Sequence, residues 1–106
     1  MHLCGILEAL KTEQNLKIHF LIMIVVVIAG IVYSISKIEW MICIILFGLV
    51  ITAELINTAI ETTVDIAMPR KDEKAKLAKD VAAGAVLVCA ITASIIGLII
   101  FLPKIF

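Results

Sequence analysis

The sequence predicts an all-α integral membrane protein: three transmembrane helices and a short N-terminal surface helix, forming a single domain over residues 1–106. Three observations predict it. Hydrophobic residues make up 63% of the chain, and mean hydropathy is +1.20, far above a soluble globular average. The apolar residues gather into runs of about 20, the length a helix needs to cross the hydrocarbon core. Within one of them, Ile24-Val25-Val26-Val27-Ile28 would favour strand in water. In lipid the backbone must satisfy its own hydrogen bonds, so helix wins.

Residues 1–17 are mixed in character. Leu3, Ile6, Leu7 and Leu10 recur at i, i+3, i+4 and i+7, one stripe of a helix, with Glu8, Lys11 and Glu13 off it. This reads as a helix lying on the membrane surface or against the bundle. Met1 to Thr12 lacks the basic start and apolar block of a secretory signal, so the long apolar segments are expected in the mature protein. Residues 18–36 form the first span, with Tyr33 near one end, where aromatic rings favour the interface. Ser36-Lys37-Ile38-Glu39 reads as a very short turn, and Trp40 is expected to anchor the next helix at the same interface.

Residues 38–67 form the second span, stopped by Pro69. About 20 residues suffice to cross, so this helix overhangs the bilayer. Residues 68–79 read as a hydrophilic loop, and 80–102 as the third span, closed by Pro103-Lys104. Its opening Ala82-Ala83-Gly84-Ala85 lets a helix approach closely, or leaves a groove for a lipid chain. Lys11, Lys17, Arg70, Lys71, Lys74, Lys76 and Lys79 fall on one side of the membrane, and only Lys37 and Lys104 on the other. The positive-inside rule puts the N-terminus and the basic loop in the cytoplasm.

Charge is balanced, nine basic against nine acidic residues, and names no partner; no nucleic-acid binding is expected. Cys4, Cys43 and Cys89 have no metal-ligand spacing and read as buried structural thiols. The five glycines fit neither a P-loop nor a dinucleotide fingerprint, and no His/Cys zinc pattern exists.

The chemistry concentrates in the second span. With Glu54 set to zero and about 100° per residue, Asn57 falls near −60°, Glu61 near −20° and Asp65 near +20°. All four share one helix face. Ionisable groups beside hydrocarbon are costly and mark a functional site by default. Glu13, Lys79 and Asp80 reach the same leaflet from the other elements. Carboxylates at one depth with basic groups beside them suit Mg²⁺ bridging an anionic ligand, since Mg²⁺ takes one or two carboxylates and fills its shell with phosphate oxygens and water. Lys79 would neutralise phosphate charge, and Glu54, deepest and beside lipid, suits a general base for a hydroxyl. Blander readings exist. Glu13, Lys17 and His19 can be solvated groups flanking a span, Lys79-Asp80 an interfacial cation with a helix cap, and Asp65 a partner of the basic loop.

Glu54-Leu55-Ile56-Asn57-Thr58-Ala59-Ile60-Glu61, then Val64-Asp65, then Ala78-Lys79-Asp80-Val81-Ala82-Ala83-Gly84-Ala85, closely resemble the bacterial membrane diacylglycerol kinase/undecaprenol kinase family. Lys11-Thr12-Glu13-Gln14-Asn15-Leu16-Lys17-Ile18-His19 adds a third match in the right order. The resemblance implies a homotrimer with active sites shared between subunits, and transfer of the γ-phosphate of MgATP to a lipid alcohol. It makes Glu54 similar to the catalytic base, and Glu13 and Glu61 similar to the Mg²⁺ ligands. Asn57, Asp65, Lys79 and Asp80 match polar residues around the nucleotide and the reacting hydroxyl. Lys17-Ile18-His19 and Asp80-Val81-Ala82-Ala83-Gly84-Ala85 look more like the Gram-positive branch, whose members phosphorylate undecaprenol; diacylglycerol is the alternative acceptor. The N-terminus is shorter than is usual in the family, and the loop Met68-Pro69-Arg70-Lys71-Asp72 departs from the commoner form. The expected location is the bacterial cytoplasmic membrane, with the site on the cytoplasmic side.

Two readings of other classes compete. A cation or proton carrier would use Glu54, Glu61 and Asp65 as a relay, but Ile22 to Ile31 and Ile42 to Val50 offer it no polar path outward. A non-catalytic membrane subunit leaves Glu54 unexplained.

Overall fold

The computed structural model describes residues 2–106, apart from the side chains of residues 9–12. The order is α1 (His2–Thr12), α2 (Gln14–Val32), α3 (Lys37–Ala67) and α4 (Glu73–Ile105), with no strand among the described residues. α2, α3 and α4 are each long and apolar enough to cross a membrane, and α1 is the expected short N-terminal helix. The chain is elongated, 51 × 28 × 19 Å. α3 has 31 residues and α4 has 33, so at about 1.5 Å per residue both exceed a hydrocarbon core of about 30 Å. On α1, Leu3, Ile6, Leu7 and Glu8 are exposed; the side chains of Leu10 and Lys11 lie outside the described residues.

The reversal between α2 and α3 lies at residues 33–36, earlier than the expected turn at 36–39. The Tyr33 and Ile35 N–H groups donate to the Ala29 and Gly30 carbonyls, and Ser34 takes a left-handed φ of 51°. The stretch read as a turn is instead the start of α3. Ser36 Oγ accepts from the Glu39 N–H at 3.1 Å, and Glu39 Oε1 accepts from the Ser36 N–H at 2.9 Å, a reciprocal cap that satisfies two otherwise orphaned donors. Trp40 does not stand free at this end. Its indole lies over Gly30, so close that a Cβ there would sit 2.6 and 2.8 Å from ring carbons. Beside it, Ile35, Cys43 and Ile100 form a small core with Phe47 and Phe101 packed around it.

α3 ends at Ala67, two residues before Pro69. The loop is far shorter than residues 68–79: helix resumes at Glu73. Asp72 Oδ2 accepts from the Ala75 N–H at 2.9 Å, and the Lys, Ala and Leu residues that follow are good helix formers despite their polarity. α4 also runs on through Pro103 to Ile105 instead of closing there. Pro103 has no N–H to offer the carbonyl one turn before it, yet the helix closes beyond it, where Phe106 N–H donates to the Leu102 carbonyl at 3.0 Å. Lys104 Nζ donates to Glu39 Oε2 at 3.0 Å, tying that end to the start of α3.

α3 packs chiefly against α4. Ala82 and Val86 are buried there, whereas Ala83 and Ala85 are exposed and Gly84 has open space around it. The small-residue stretch therefore serves close packing through Ala82 and leaves its other side uncovered. Of the cysteines, Cys43 is buried and Cys89 half-buried, but Cys4 is exposed on α1, which corrects the expectation for that thiol.

Candidate active site

The polar face of α3 turns inward at its deep end and emerges at its tip. Glu54 and Asn57 are buried, at 4% and 8% exposure; Glu61 is half-buried and Asp65 exposed. The helix repeat alone puts these residues in line, and burial shows that the line faces the rest of the chain. Asn57 Nδ2 donates to Glu61 Oε1 at 3.1 Å, so the amide holds the carboxylate one turn above it. Asn57 Oδ1 is buried with no hydrogen-bond partner.

Beyond Glu61 the face opens into a cleft of about 630 Å³ between the end of α3 and the start of α4. Asp65, Lys79 and Asp80 line it, with Arg70, Lys71 and Lys76. Lys79 Nζ reaches Asp65 Oδ1 at 2.7 Å, across the two helices, and Lys76 Nζ reaches Asp80 Oδ2 at 2.7 Å, along α4. Exposed pairs of this kind contribute little to stability and are free to exchange partners. The cleft lies about 16 Å along α3 from Glu54, by the helical rise over Glu54 to Asp65.

Glu13 stands apart. It occupies the N-cap of α2 without a side-chain capping bond. No hydrogen bond or ion pair joins it to Glu61 among the described residues, nor do three His, Cys, Asp or Glu side chains gather there as a ready metal site.

One residue assigned to the solvated flank of a span does something else. His19 Nε2 lies 3.1 Å from Glu54 Oε1, and its side chain is only 20% exposed. His19 also closes one end of an apolar groove of about 400 Å³ that runs between α2, α3 and α4 toward Val26, Cys43 and Phe101. Its signal in the sequence was an ionisable side chain one residue inside a long apolar run.

A family model described as prokaryotic diacylglycerol kinase matches residues 2–101. The chain belongs to the prokaryotic diacylglycerol kinase family. It is 49% identical over 100 residues to an undecaprenol kinase of Bacillus subtilis, an alignment covering 94% of this chain and 81% of that protein. It is also 38% identical over 100 residues to a diacylglycerol kinase of Synechocystis, covering 93% of this chain and 57% of that one. The family is one of membrane-bound lipid kinases, and this chain is a kinase of that family. The Glu54 to Asp65 face and the Lys79-Asp80 pair lie within the matched residues.

Proposed function

We propose that this kinase transfers the γ-phosphate of MgATP to undecaprenol, with Glu54 as the base. The observation that carries this reading is a buried carboxylate in an apolar helix, on the same helix face as Asn57, Glu61 and Asp65, the last of which lines a basic cleft. The higher identity to the undecaprenol kinase favours that acceptor over diacylglycerol.

In the proposed reaction Glu54 takes the proton of the lipid hydroxyl. The freed oxygen attacks the γ-phosphorus, the bond from phosphorus to the β–γ bridging oxygen breaks, and ADP leaves with that oxygen. Such transfers depend on positioning and charge neutralisation more than on covalent chemistry. Lys79 would turn from Asp65 to the phosphates, and Asp65 and Asp80 would keep it and its neighbours in the cleft. Glu61 and Glu13 would hold Mg²⁺. The donor set fits: hard carboxylate oxygens, one of them oriented by Asn57, beside an amide oxygen with no partner of its own. When bound, the ion would offset phosphate charge. The carrier alternative gains nothing from the structure, because the groove beyond His19 is lined almost wholly by apolar side chains.

The assembly reading is a homotrimer with sites shared between neighbours, in the bacterial cytoplasmic membrane. The grouping of Arg70, Lys71, Lys76 and Lys79 at the cleft supports a cytoplasmic site under the positive-inside rule. The test is phosphate transfer from labelled ATP to undecaprenol and to diacylglycerol, side by side in mixed micelles with Mg²⁺. Undecaprenol should be the better acceptor, and Glu54→Gln should abolish turnover while the oligomer persists. Full activity in that variant removes Glu54 from its role, and preference for diacylglycerol reverses the substrate assignment.

A further inference from the structure

The contact between His19 and Glu54 links α2 to the polar face of α3, and the proposed reaction leaves it unused. It is well placed to matter. Glu54 sits in low-dielectric surroundings, where a carboxylate side chain needs a hydrogen-bonding partner to hold one orientation. The Asn57 amide does not supply it, being turned toward Glu61. The Thr58 hydroxyl does not either, since it donates to the Glu54 backbone carbonyl at 3.0 Å. The imidazole, from a separate helix, is the group within reach, its Nε2 3.1 Å from Glu54 Oε1.

The location of the pair is as telling as its distance. The groove beside it is lined in register from all three long helices. His19, Met23 and Val26 run along α2, Val50 back to Cys43 along α3, and Ala90 to Phe101 along α4. His19, Val50 and Ala90 share the end nearest Glu54, so the imidazole stands where apolar lining gives way to the polar face.

We propose that His19 is a positioning residue for Glu54: the imidazole donates its Nε2–H to Oε1 and aims the other oxygen, Oε2, at the hydroxyl of the lipid. This rests on Glu54 being the base. The proton of the hydroxyl passes to Oε2, and His19 keeps its own proton throughout. It holds the carboxyl in place before and after transfer, and touches neither ATP nor the phosphoryl group.

The experiment compares kcat and KM for ATP in His19→Leu, His19→Gln and Glu54→Gln, with thermal unfolding and oligomer size measured in the same detergent. His19→Leu removes the donor at similar bulk and should lower kcat about 10- to 100-fold, the loss of one hydrogen bond to a charged group, with KM for ATP unmoved. His19→Gln keeps an N–H near the same point and should recover most of that loss, which a merely structural or a proton-carrying histidine would not allow. Wild-type kcat in His19→Leu overturns the proposal, as does a His19→Gln variant no better than His19→Leu. If His19→Leu does not assemble, His19→Ala with added imidazole replaces it: turnover that returns with imidazole supports the role, and a folded variant that gives no return overturns it. Glu54→Gln separates the two ideas, because an active Glu54→Gln sinks the base assignment itself, while a dead one beside a fully active His19→Leu sinks only the role of His19.

Discussion

Asn57 is buried in α3 with its amide nitrogen on Glu61 and its carbonyl oxygen unpartnered. A buried polar atom without a partner costs about 1–3 kcal/mol. Such a cost at a residue that also orients a carboxylate points to selection for chemistry over stability. Asn57→Leu should therefore unfold in detergent at a temperature no lower than the parent, since it removes the orphaned oxygen. If Glu61 holds the metal as proposed, turnover should fall about 10- to 100-fold, the usual effect of losing a group that orients a metal ligand. Paired unfolding and activity measurements check both halves, and wild-type turnover would take Asn57 out of the site. The alignment of Glu54, Asn57, Glu61 and Asp65 was legible in the sequence because it follows from helix geometry alone. The partner of Glu54 was not. His19 is far away in the chain, and a histidine among Lys17, Glu13 and the span edge looks like an ordinary flanking group until the fold brings α2 against α3.

At the scale of elements, the three spans were legible because hydropathy over a long window is insensitive to local detail. Their ends were not, because ends are set by single hydrogen bonds. The residues 68–79 looked like a loop by polarity, yet Asp72 caps a helix there and its Lys and Ala residues prolong it. Ser36-Lys37-Ile38-Glu39 carried a readable capping box, the Ser-x-x-Glu pattern, which marks a helix start instead of a turn. The left-handed Ser34 that makes the reversal possible has no comparable signature. Packing at this end makes a prediction of its own. Gly30→Ala gains up to about 1 kcal/mol in helix propensity, but its methyl would meet a rigid indole at 2.6 Å, and overpacking of this kind costs about 1–3 kcal/mol. The clash should win, so Gly30→Ala lowers the unfolding midpoint. In a Trp40→Leu background the same substitution should become neutral or stabilising, because the obstacle is gone. Equal effects in both backgrounds would mean that Trp40 does not dictate glycine at residue 30.

At the scale of the whole molecule, much apolar surface is uncovered. Leu21, Ile24, Val25 and Ile28 on α2, and Leu87, Val88, Ile91 and Ile95 on α4, are all exposed, as helices facing lipid would be. The polar residues divide in the same way. Asn57 and Glu61 are linked along α3, and Lys79 reaches Asp65 from α4, yet among the described residues no hydrogen bond or ion pair joins Glu13 to any of them. If Glu13 completes the metal site, the proposed trimer lets it do so from a neighbouring subunit. That makes the assembly testable without a structure of it. Glu13→Gln and Glu54→Gln should each be inactive as pure oligomers. Unfolded together and reassembled as a mixture, they should regain part of the parent activity, because some sites then draw an intact Glu13 from one subunit and an intact Glu54 from the next. A mixture that stays inactive after demonstrated subunit exchange would place both carboxylates in one chain's site, and the helix carrying Glu13 would then have to swing toward Glu61 during turnover.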